Sequence, residues 1–516
     1  MKPYHSNVNR PIQLSYYISV ASFYVENFGC RATQADGAAI ERQFRNRGLE
    51  RSALPSQAEI VVLNTCTVTA SADQDARAAI RRIHRDTPAC QIVVTGCYAQ
   101  RAPEELAALP GVSRVIGNSH KHQLVDISIP TSVSTSTPSS TARDFVPLTS
   151  LMPESPSQIY VSDIFAHTEL FAAPVFDAAN ERTRPNLKVQ DGCDNRCSFC
   201  VIPFVRGHSR SLPLPQILRE VNALVESGYR EVVISGINLG RWGRDLAPQN
   251  DLVWDEQVSG DLVWGGRPRP PKAASHPATF RFEDLVAAIL AETTLEKLRI
   301  SSVEPMDWSD DLIRQIAESP RIARHAHVPM QSGSDSVLRR MHRKYRSWHY
   351  REKIEKIRTA MPTAAIGADV MVGFPRESDA EFEETRRMIE DLPFTYLHVF
   401  TYSPRPGTPA AALPNQVPVR IARDRNRVLR DLAAAKKLEF QKSFIGKTLD
   451  AITLNVFDGE YTEALTDNYL KLRLKGRHAP NRWITAHVDQ VESGALLGVL
   501  YRRSDGHLAR PTPVST

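Results

Sequence analysis

Apolar positions in the first 125 residues come in short runs separated by amphipathic stretches. Residues 22–29 (SFYVENFG) read as a strand, 34–47 as a helix with Ile40 and Phe44 four apart, and 59–64 (EIVVLN) as a buried strand. Ser71 is placed to cap a helix running to about Arg85, 91–95 (QIVVT) give a third strand, and a short helix near Glu104 precedes a strand at 112–116. This alternation predicts a doubly wound parallel α/β sheet. A second set of runs, at 186–190, 231–235, 298–302, 325–328, 365–372 and 396–402, is spaced by helical patterns such as 215–227, 283–292, 309–318 and 380–390. Six such strand–helix units predict a partial (β/α) TIM-type barrel, whose site is built from the loops after its strands. After a basic amphipathic helix at 419–444, short alternating runs at 449–456, 461–465, 469–474, 483–488 and 496–501 predict a small antiparallel β-barrel.

The same pattern sets the expected divisions. They are an N-terminal domain over 15–125, a Ser/Thr/Pro-rich linker or insertion over 126–183, a barrel domain over 184–440 and a small C-terminal module over 443–505. Within the barrel domain, 245–276 breaks the rhythm and carries DLVW twice, at 251–254 and 261–264, which reads as a surface insertion. A chain of 516 residues is too long for one hydrophobic core, in agreement with several domains.

Charge adds one asymmetry. The net charge is +6, and residues 420–516 hold 17 Lys and Arg against 11 Asp and Glu, so the tail carries the whole surplus. A basic module on a neutral body suits phosphate contacts, and a solvated helix followed by a basic barrel surface gives the same count. No apolar run is long enough to span a bilayer, and the first ten residues are polar, so a cytoplasmic protein is expected.

The candidate chemistry lies in seven cysteines. Cys30, Cys66 and Cys97 each follow a strand of the first domain, so the topology brings them to the C-terminal edge of the sheet, where open α/β folds build their sites. Three thiolates fit a 4Fe–4S cluster with one open iron; a structural zinc site closes with four ligands, and three small buried hydrophobes would have no reason to follow every strand. Cys90 precedes its strand and is expected at the opposite edge, outside the set. Cys193, Cys197 and Cys200 lie on one loop with CxxxCxxC spacing, which can hold three irons of a cubane and leave the fourth open to a ligand; a chance match with zinc or no metal is the alternative. After the next strands come Gly236, Gly240 and Gly243, then Glu304, then Gln331. The glycines permit close approach of a ligand, and Glu304 and Gln331 are candidates to bond its oxygens or to cap their own loops.

These residues together resemble the methylthiotransferase family of radical S-adenosylmethionine (SAM) enzymes. The resemblance rests on FGC at 28–30, NTC at 64–66, GC at 96–97, DGCDNRCSFCVIPFVRG, HVPMQSGSDSVLRRMHRKY, DVMVGFP and a TRAM-like LTDNYLKL at 465–472. It implies two 4Fe–4S clusters, an auxiliary one on Cys30, Cys66 and Cys97 and a SAM-binding one on Cys193, Cys197 and Cys200. It also implies a SAM pocket involving Phe199, Gly236, Gly240, Gly243, Glu304 and Gln331, and an RNA-binding C-terminal module. SAM would serve both to methylate a sulfur on the auxiliary cluster and, once reduced at the other, to supply the radical that activates the substrate carbon. The implied partners are a tRNA anticodon stem-loop and a low-potential electron donor of flavodoxin or ferredoxin type. NTCTVT and TGCYAQ resemble the type that acts on N6-threonylcarbamoyladenosine rather than isopentenyladenosine or a ribosomal-protein aspartate. Thr33, Arg376 and Trp242 depart from the family's usual Asn, Gly and Tyr. An electron-transfer protein would need no SAM-like glycine segment, and a non-catalytic RNA-binding protein would have no use for six placed thiols.

Overall fold

The computed structural model describes residues 21–129, 157–167, 170, 183–246 and 280–501. The tract TSVSTSTPSST, the two DLVW copies and the polar first ten residues lie outside them.

The first domain is a six-stranded parallel sheet in the order β2-β1-β3-β4-β5-β6. Its strands are β1 (Ser22–Asn27), β2 (Glu50–Arg51), β3 (Ile60–Thr65), β4 (Gln91–Gly96), β5 (Val112–Gly117) and β6 (Gln158–Tyr160). Helices α1 (Arg31–Asn46) and α2 (Ala70–Asp86), the short α3 (Cys97–Arg101) and α4 (Pro103–Ala107), and α5 (Leu124–Ser128) complete it. Every residue of β3 is buried, and alternate residues enter two different cores. Val62 joins Phe23, Ile40 and Phe44 on one face; Val61 and Leu63 join Ile80 and Ile83 on the other. Two covered faces make the sheet doubly wound, as the strand–helix alternation predicts. Three local readings change. Helix α1 starts directly after Cys30, which is its extended N-cap. Helix α2 is capped by Thr69, whose hydroxyl accepts from the Ala72 amide at 3.2 Å, not by Ser71. Residues 158–160, within the stretch read as a linker, pair with Arg114–Ile116 as an edge strand.

The second domain is an open half-barrel. Its strands are β7 (Asn186–Lys188), β10 (Glu231–Ser235), β11 (Lys297–Ile300), β12 (His325–His327), β13 (Ala365–Val372) and β14 (Tyr396–Thr401), and a short antiparallel pair, β8 (Gln190–Asp191) with β9 (Arg210–Ser211), flanks the cysteine loop. They form two parallel sheets, β11-β10-β7 and β12-β13-β14, linked by bridges Leu298–Ile322 and Ser302–His327. Outside lie α6 (Ile202–Arg206), α7 (Leu214–Glu226), α8 (Phe282–Glu292), α9 (Asp310–Glu318), α10 (Asp335–Arg340), α11 (Ser347–Ala360) and α12 (Asp379–Asp391). Outward residues of the strands, among them Ile234, Ala326, Ile366, Ala368 and Val370, pack with Ile217, Leu285, Ile313 and Ile354 of the helices. Helix α13 (Val419–Lys442) lies against β14 and leads into the third domain.

That third domain is a closed barrel of β15 (Thr448–Phe457), β16 (Tyr461–Thr466), β17 (Lys471–Lys475), β19 (Ala495–Leu500) and β18 (Trp483–Glu492), in that order around the ring. Four pairings are antiparallel and β17–β19 is parallel. A closed ring with an odd number of strands cannot alternate direction throughout, so one parallel pair is forced. The TDNYL turn between β16 and β17 docks on the N-terminal mouth of the half-barrel. Arg299 donates to the Thr466 and Asp467 carbonyls at 3.3 and 3.2 Å, Lys297 pairs with Asp467 at 3.1 Å, and the Asn468 amide donates to the Thr363 carbonyl at 3.0 Å. Tyr469 reaches the first residues of β12 and β14, with its ring centroid 4.7 Å from His325 and 5.8 Å from Tyr396. This segment of the TRAM-like signature is therefore a contact between domains.

The first domain spans the open side of the half-barrel and is fastened at both edges. At the β7 edge, Asp36 of α1 takes hydrogen bonds from Lys121 and Arg206 at 3.0 Å each and from Lys188 of β7. Asp191 takes bonds from Lys188 at 2.7 Å and from Arg206 at 3.0 Å. All five side chains are buried. At the β14 edge, Arg405 pairs with Asp73 at 3.0 Å and donates to the Thr67 carbonyl at 3.2 Å, while Arg101 holds Asp73 from the first domain at 3.1 Å.

Burial by itself would raise the Asp36 carboxyl, but Lys121, Lys188 and Arg206 override it and hold it at about 2. A carboxyl whose folded value lies below its ordinary 3.8 contributes stability above pH 3.8, and that contribution is lost as the pH falls toward 2. Asp36→Asn leaves three buried cations facing one carboxylate and should destabilise the protein by about 3–5 kcal/mol. Thermal unfolding at neutral pH should show the loss, and the gap between wild type and variant should shrink below pH 3.8. Cys90 is buried at the start of β4, within the core that holds Ile80 and Ile92, and Cys97 follows the strand's other end. The strand separates them by roughly 20 Å. Cys90→Ala should keep the wild-type iron content after anaerobic reconstitution, whereas Cys97→Ala should lower it.

Candidate active site

The loops after β1, β3 and β4 bring Cys30, Cys66 and Cys97 together. Gly29 makes this possible: its backbone has φ +101°, and a Cβ there would sit 2.5 Å from the Cys66 Cβ and 2.8 Å from its sulfur. Only glycine lets the first loop pass so close to the second. Gly96 (φ +100°) does the same before Cys97, where a Cβ would lie 2.3 Å from the Thr65 carbonyl oxygen. Burial, then the neighbouring Cys97 and Cys30, push the Cys66 thiol up to about 12. A buried Cys66 thiol that resists ionisation, with two further cysteines brought beside it, suits a site whose charge is supplied by a bound metal centre, because metal coordination deprotonates a thiol outright. The polar surroundings agree. The Asn118 amide lies 3.6 Å from the Cys97 sulfur, the Thr33 hydroxyl lies 3.6 Å from that of Cys30, and Arg206 and Lys121 exert their charge on Cys97.

The CxxxCxxC loop follows β8 and lies at the C-terminal mouth of the half-barrel. Burial and the adjacent Cys197 push Cys193 up to about 11 and Cys200 up to about 12. Two residues outside the sequence reading supply donors. The Arg343 guanidinium lies 3.2 Å from the Cys197 sulfur and also pairs with Glu304; the Asn238 amide lies 3.6 Å from the Cys193 sulfur. Arg343 stands inside the quoted HVPMQSGSDSVLRRMHRKY, and Asn238 lies between Gly236 and Gly240. Spacing alone could not single them out, because the loops that carry them meet only in the fold. Cys197, Glu304 and Arg343 line one small cavity with Asn195, Arg241 and Tyr345.

The other sequence-predicted residues are distributed as follows. Phe199 is half-buried and packs edge-on against Phe374 of the DVMVGFP loop, with centroids 6.4 Å apart. Gln331 has φ +63°, and its side-chain oxygen is buried with no hydrogen-bond partner. Gly236 backs onto Gln190, Gly240 onto Asp307 and Gly243 (φ +90°) onto Phe280, so the space a side chain would take is filled by protein at all three. Burial raises the Glu304 carboxyl against the pull of Arg343. Arg376 has a left-handed backbone (φ +65°), the region that favours glycine. Trp242 is buried and donates to the Leu212 carbonyl at 2.9 Å.

The two cysteine sets face each other across the domain boundary. Cys97 packs with Val201 and Val205, and Val201 is the residue after Cys200. The Asn118 amide that lies beside Cys97 also donates to the Val205 carbonyl at 2.7 Å.

The model described as "Uncharacterized protein family UPF0004" matches residues 22–117, and the radical SAM superfamily model matches 187–389. The chain is 33% identical over 453 residues to a threonylcarbamoyladenosine tRNA methylthiotransferase MtaB of Aquifex aeolicus (strain VF5), covering 87% of this chain and 96% of that protein. It is 32% identical to the protein of the same name from Bacillus subtilis (strain 168), covering 89% and 91%. It is 31% identical over 440 residues to a tRNA-2-methylthio-N(6)-dimethylallyladenosine synthase of Novosphingobium aromaticivorans (strain ATCC 700278 / DSM 12444 / CCUG 56034 / CIP 105152 / NBRC 16084 / F199), covering 84% and 87%. With a first domain and a half-barrel of the matching kinds, and with likeness along nearly the whole of these relatives, the chain belongs to the radical-SAM methylthiotransferase family, as an enzyme of its MtaB type.

Proposed function

We propose that this enzyme adds a methylthio group at C2 of N6-threonylcarbamoyladenosine beside the anticodon of tRNA, with a 4Fe–4S cluster on each cysteine set. The observation that carries the reading is the packing of Cys97 against the residue that follows Cys200. Moving sulfur onto an unactivated carbon requires the activating centre and the sulfur carrier to reach one atom of the substrate. The names of the Aquifex and Bacillus relatives, and the NTCTVT and TGCYAQ segments, support threonylcarbamoyladenosine as the substrate.

Cys30, Cys66 and Cys97 hold the auxiliary cluster; Cys193, Cys197 and Cys200 hold the one that binds SAM. When bound, these groups supply reductive cleavage of SAM and the sulfur that is transferred. The chain's own work is to hold, orient and shield. Arg343, Asn238 and Asn118 direct donors at one sulfur each, which disperses thiolate charge. Glu304, fixed by Arg343, and Gln331, with its unpartnered oxygen, offer acceptors to the polar groups of SAM. Gly236, Gly240 and Gly243 hold the loop's close packing, and Phe199 covers the cysteine loop on its aromatic side. The base, turned out of the anticodon loop, enters the concave face of the half-barrel. The TDNYL turn is committed to the half-barrel, so RNA meets the C-terminal module through exposed Lys447, Lys471, Lys475, Arg477 and Arg482. Among the described residues no helix is long and apolar enough to cross a membrane, which suits work on tRNA in the cytoplasm with a flavodoxin- or ferredoxin-type electron donor.

Replacing Cys193, Cys197 and Cys200 together by Ala should leave about half of roughly eight irons per chain and abolish formation of 5′-deoxyadenosine. Iron analysis and chromatography of reconstituted protein test this, and persistent SAM cleavage in the triple variant would falsify the assignment. Mass spectrometry of tRNA nucleosides decides the substrate. Loss of the gene should remove 2-methylthio-N6-threonylcarbamoyladenosine and spare the isopentenyl counterpart; the reverse pattern would move the enzyme to the isopentenyladenosine type.

A further inference from the structure

Three side chains on the inner wall of the half-barrel, and a fourth from the first domain, take no part in holding the cysteines. His327 of β12, Asp369 of β13 and His398 of β14 sit on neighbouring strands. Their alternates Ala326, Ala368 and Val370 pack outward under the helices, so these three turn to the concave side. Registers pair Asp369 with His398 and His327 with Gly367. Gly367 leaves room for Tyr396, because a Cβ there would fall 2.0 Å from its ring. One donor atom from each of His327, Asp369 and His398 lies within 4.8 Å of the other two. His327 is 8% exposed; its Nδ1 meets the Ser302 hydroxyl, and its Nε2, 3.5 Å from Asp369 Oδ1, has no hydrogen-bond partner. A buried imidazole nitrogen left open beside a carboxylate marks a place built for something else.

The fourth side chain comes from the other domain. Arg31 follows Cys30, is exposed, and its guanidinium makes no ion pair among the described residues. The Asn186 amide donates to the Arg31 carbonyl at 3.3 Å, which seats Arg31 against the β7 edge of the half-barrel, and its charge reaches His325, Tyr396 and His398 on the other side. Two imidazoles and one carboxylate could in principle hold a metal ion, but an unpaired guanidinium on the same space repels a cation and attracts an anion. Asp369 then accepts from a hydroxyl or amide of the same ligand.

Resting on the substrate reading above, we propose that Arg31, His327, Asp369 and His398 form the subsite for the N6 substituent of the base, with Arg31 and the imidazoles taking its carboxylate and Asp369 its hydroxyl or amide. An apolar substituent would leave the His327 nitrogen and Arg31 without partners, and a site built for polar contacts discriminates far more strongly than an apolar pocket does. The subsite thus accounts for selection of an acidic substituent over a branched alkene.

The test uses reconstituted holoenzyme and three anticodon stem-loops of one sequence. One carries threonylcarbamoyladenosine, one its threonine carboxamide and one isopentenyladenosine. Affinity is read by fluorescence anisotropy without SAM, and turnover by mass spectrometry. Wild type should bind the acid about 10- to 100-fold more tightly than the carboxamide. Arg31→Met should abolish that preference by weakening the acid alone, and His398→Phe should reduce it. Iron content of each variant checks that the neighbouring cysteines are intact, and His398→Phe, on an exposed strand position, serves if Arg31→Met loses iron. An unchanged acid-to-amide ratio in the variants overturns the subsite, as does a wild type that binds the two RNAs equally. A stoichiometric metal beyond the cluster iron, lost in His398→Phe, also overturns it and makes the triad a metal site. Failure of the substrate reading looks different: wild type would methylthiolate the isopentenyl RNA and leave the threonylcarbamoyl RNA untouched.

Discussion

Five buried charges join the first domain to the half-barrel, and the arrangement of the rest follows from them. Asp36 and Asp191 are held by Lys121, Lys188 and Arg206 in one hydrogen-bonded group that crosses the boundary. Such a group is a weak source of net stability and a strong source of orientation, because every member needs its partners in place before burial is tolerable. Arg206 closes α6, the helix that follows the CxxxCxxC loop, and Asp36 lies in α1, the helix that follows Cys30. The network therefore fixes two cysteine loops relative to each other through the helices they lead into. Arg405 and Asp73 repeat the arrangement on the far side, where the Cys66 loop meets the loop after β14.

The same group has an electrical consequence. Three cations against two carboxylates leave one surplus positive charge, buried beside Cys97. Thiolates bound to a metal centre are anionic, so if Cys30, Cys66 and Cys97 hold a cluster as proposed above, this surplus would favour the loaded site over a set of free thiols. Stability of the domain boundary would then be coupled to occupancy of that site.

The half-barrel is closed from two directions by other parts of the chain. The first domain covers its open side, fastened at the β7 and β14 edges. The C-terminal barrel covers its lower mouth through TDNYL, where Tyr469 (φ +65°) reaches the aromatic and imidazole rings at the base of β12 and β14. The C-terminal module is accordingly structural at its TDNYL turn and carries exposed lysines and arginines elsewhere.

By itself the sequence determined the elements and the ends of the strands at which the cysteines stand. Period-2 and period-3.6 patterning is a local property of the chain, so the six half-barrel strands, the doubly wound sheet and the five-stranded barrel were legible from apolar spacing. The cysteines were legible because strand direction decides which end of a strand a residue occupies: Cys30, Cys66 and Cys97 follow their strands, and Cys90 precedes β4. Caps and edges were less so, since a hydroxyl two residues away competes equally well in sequence, as Thr69 did with Ser71, and a three-residue edge strand has no period to detect. What only the tertiary structure decided is how the three domains meet. Asp36 and Arg206 lie 170 residues apart, as do Arg299 and Asp467 at 168, and no local pattern pairs them. Complementary buried charge and shape pair them instead, and those exist only once each domain has folded and presents its face to the next.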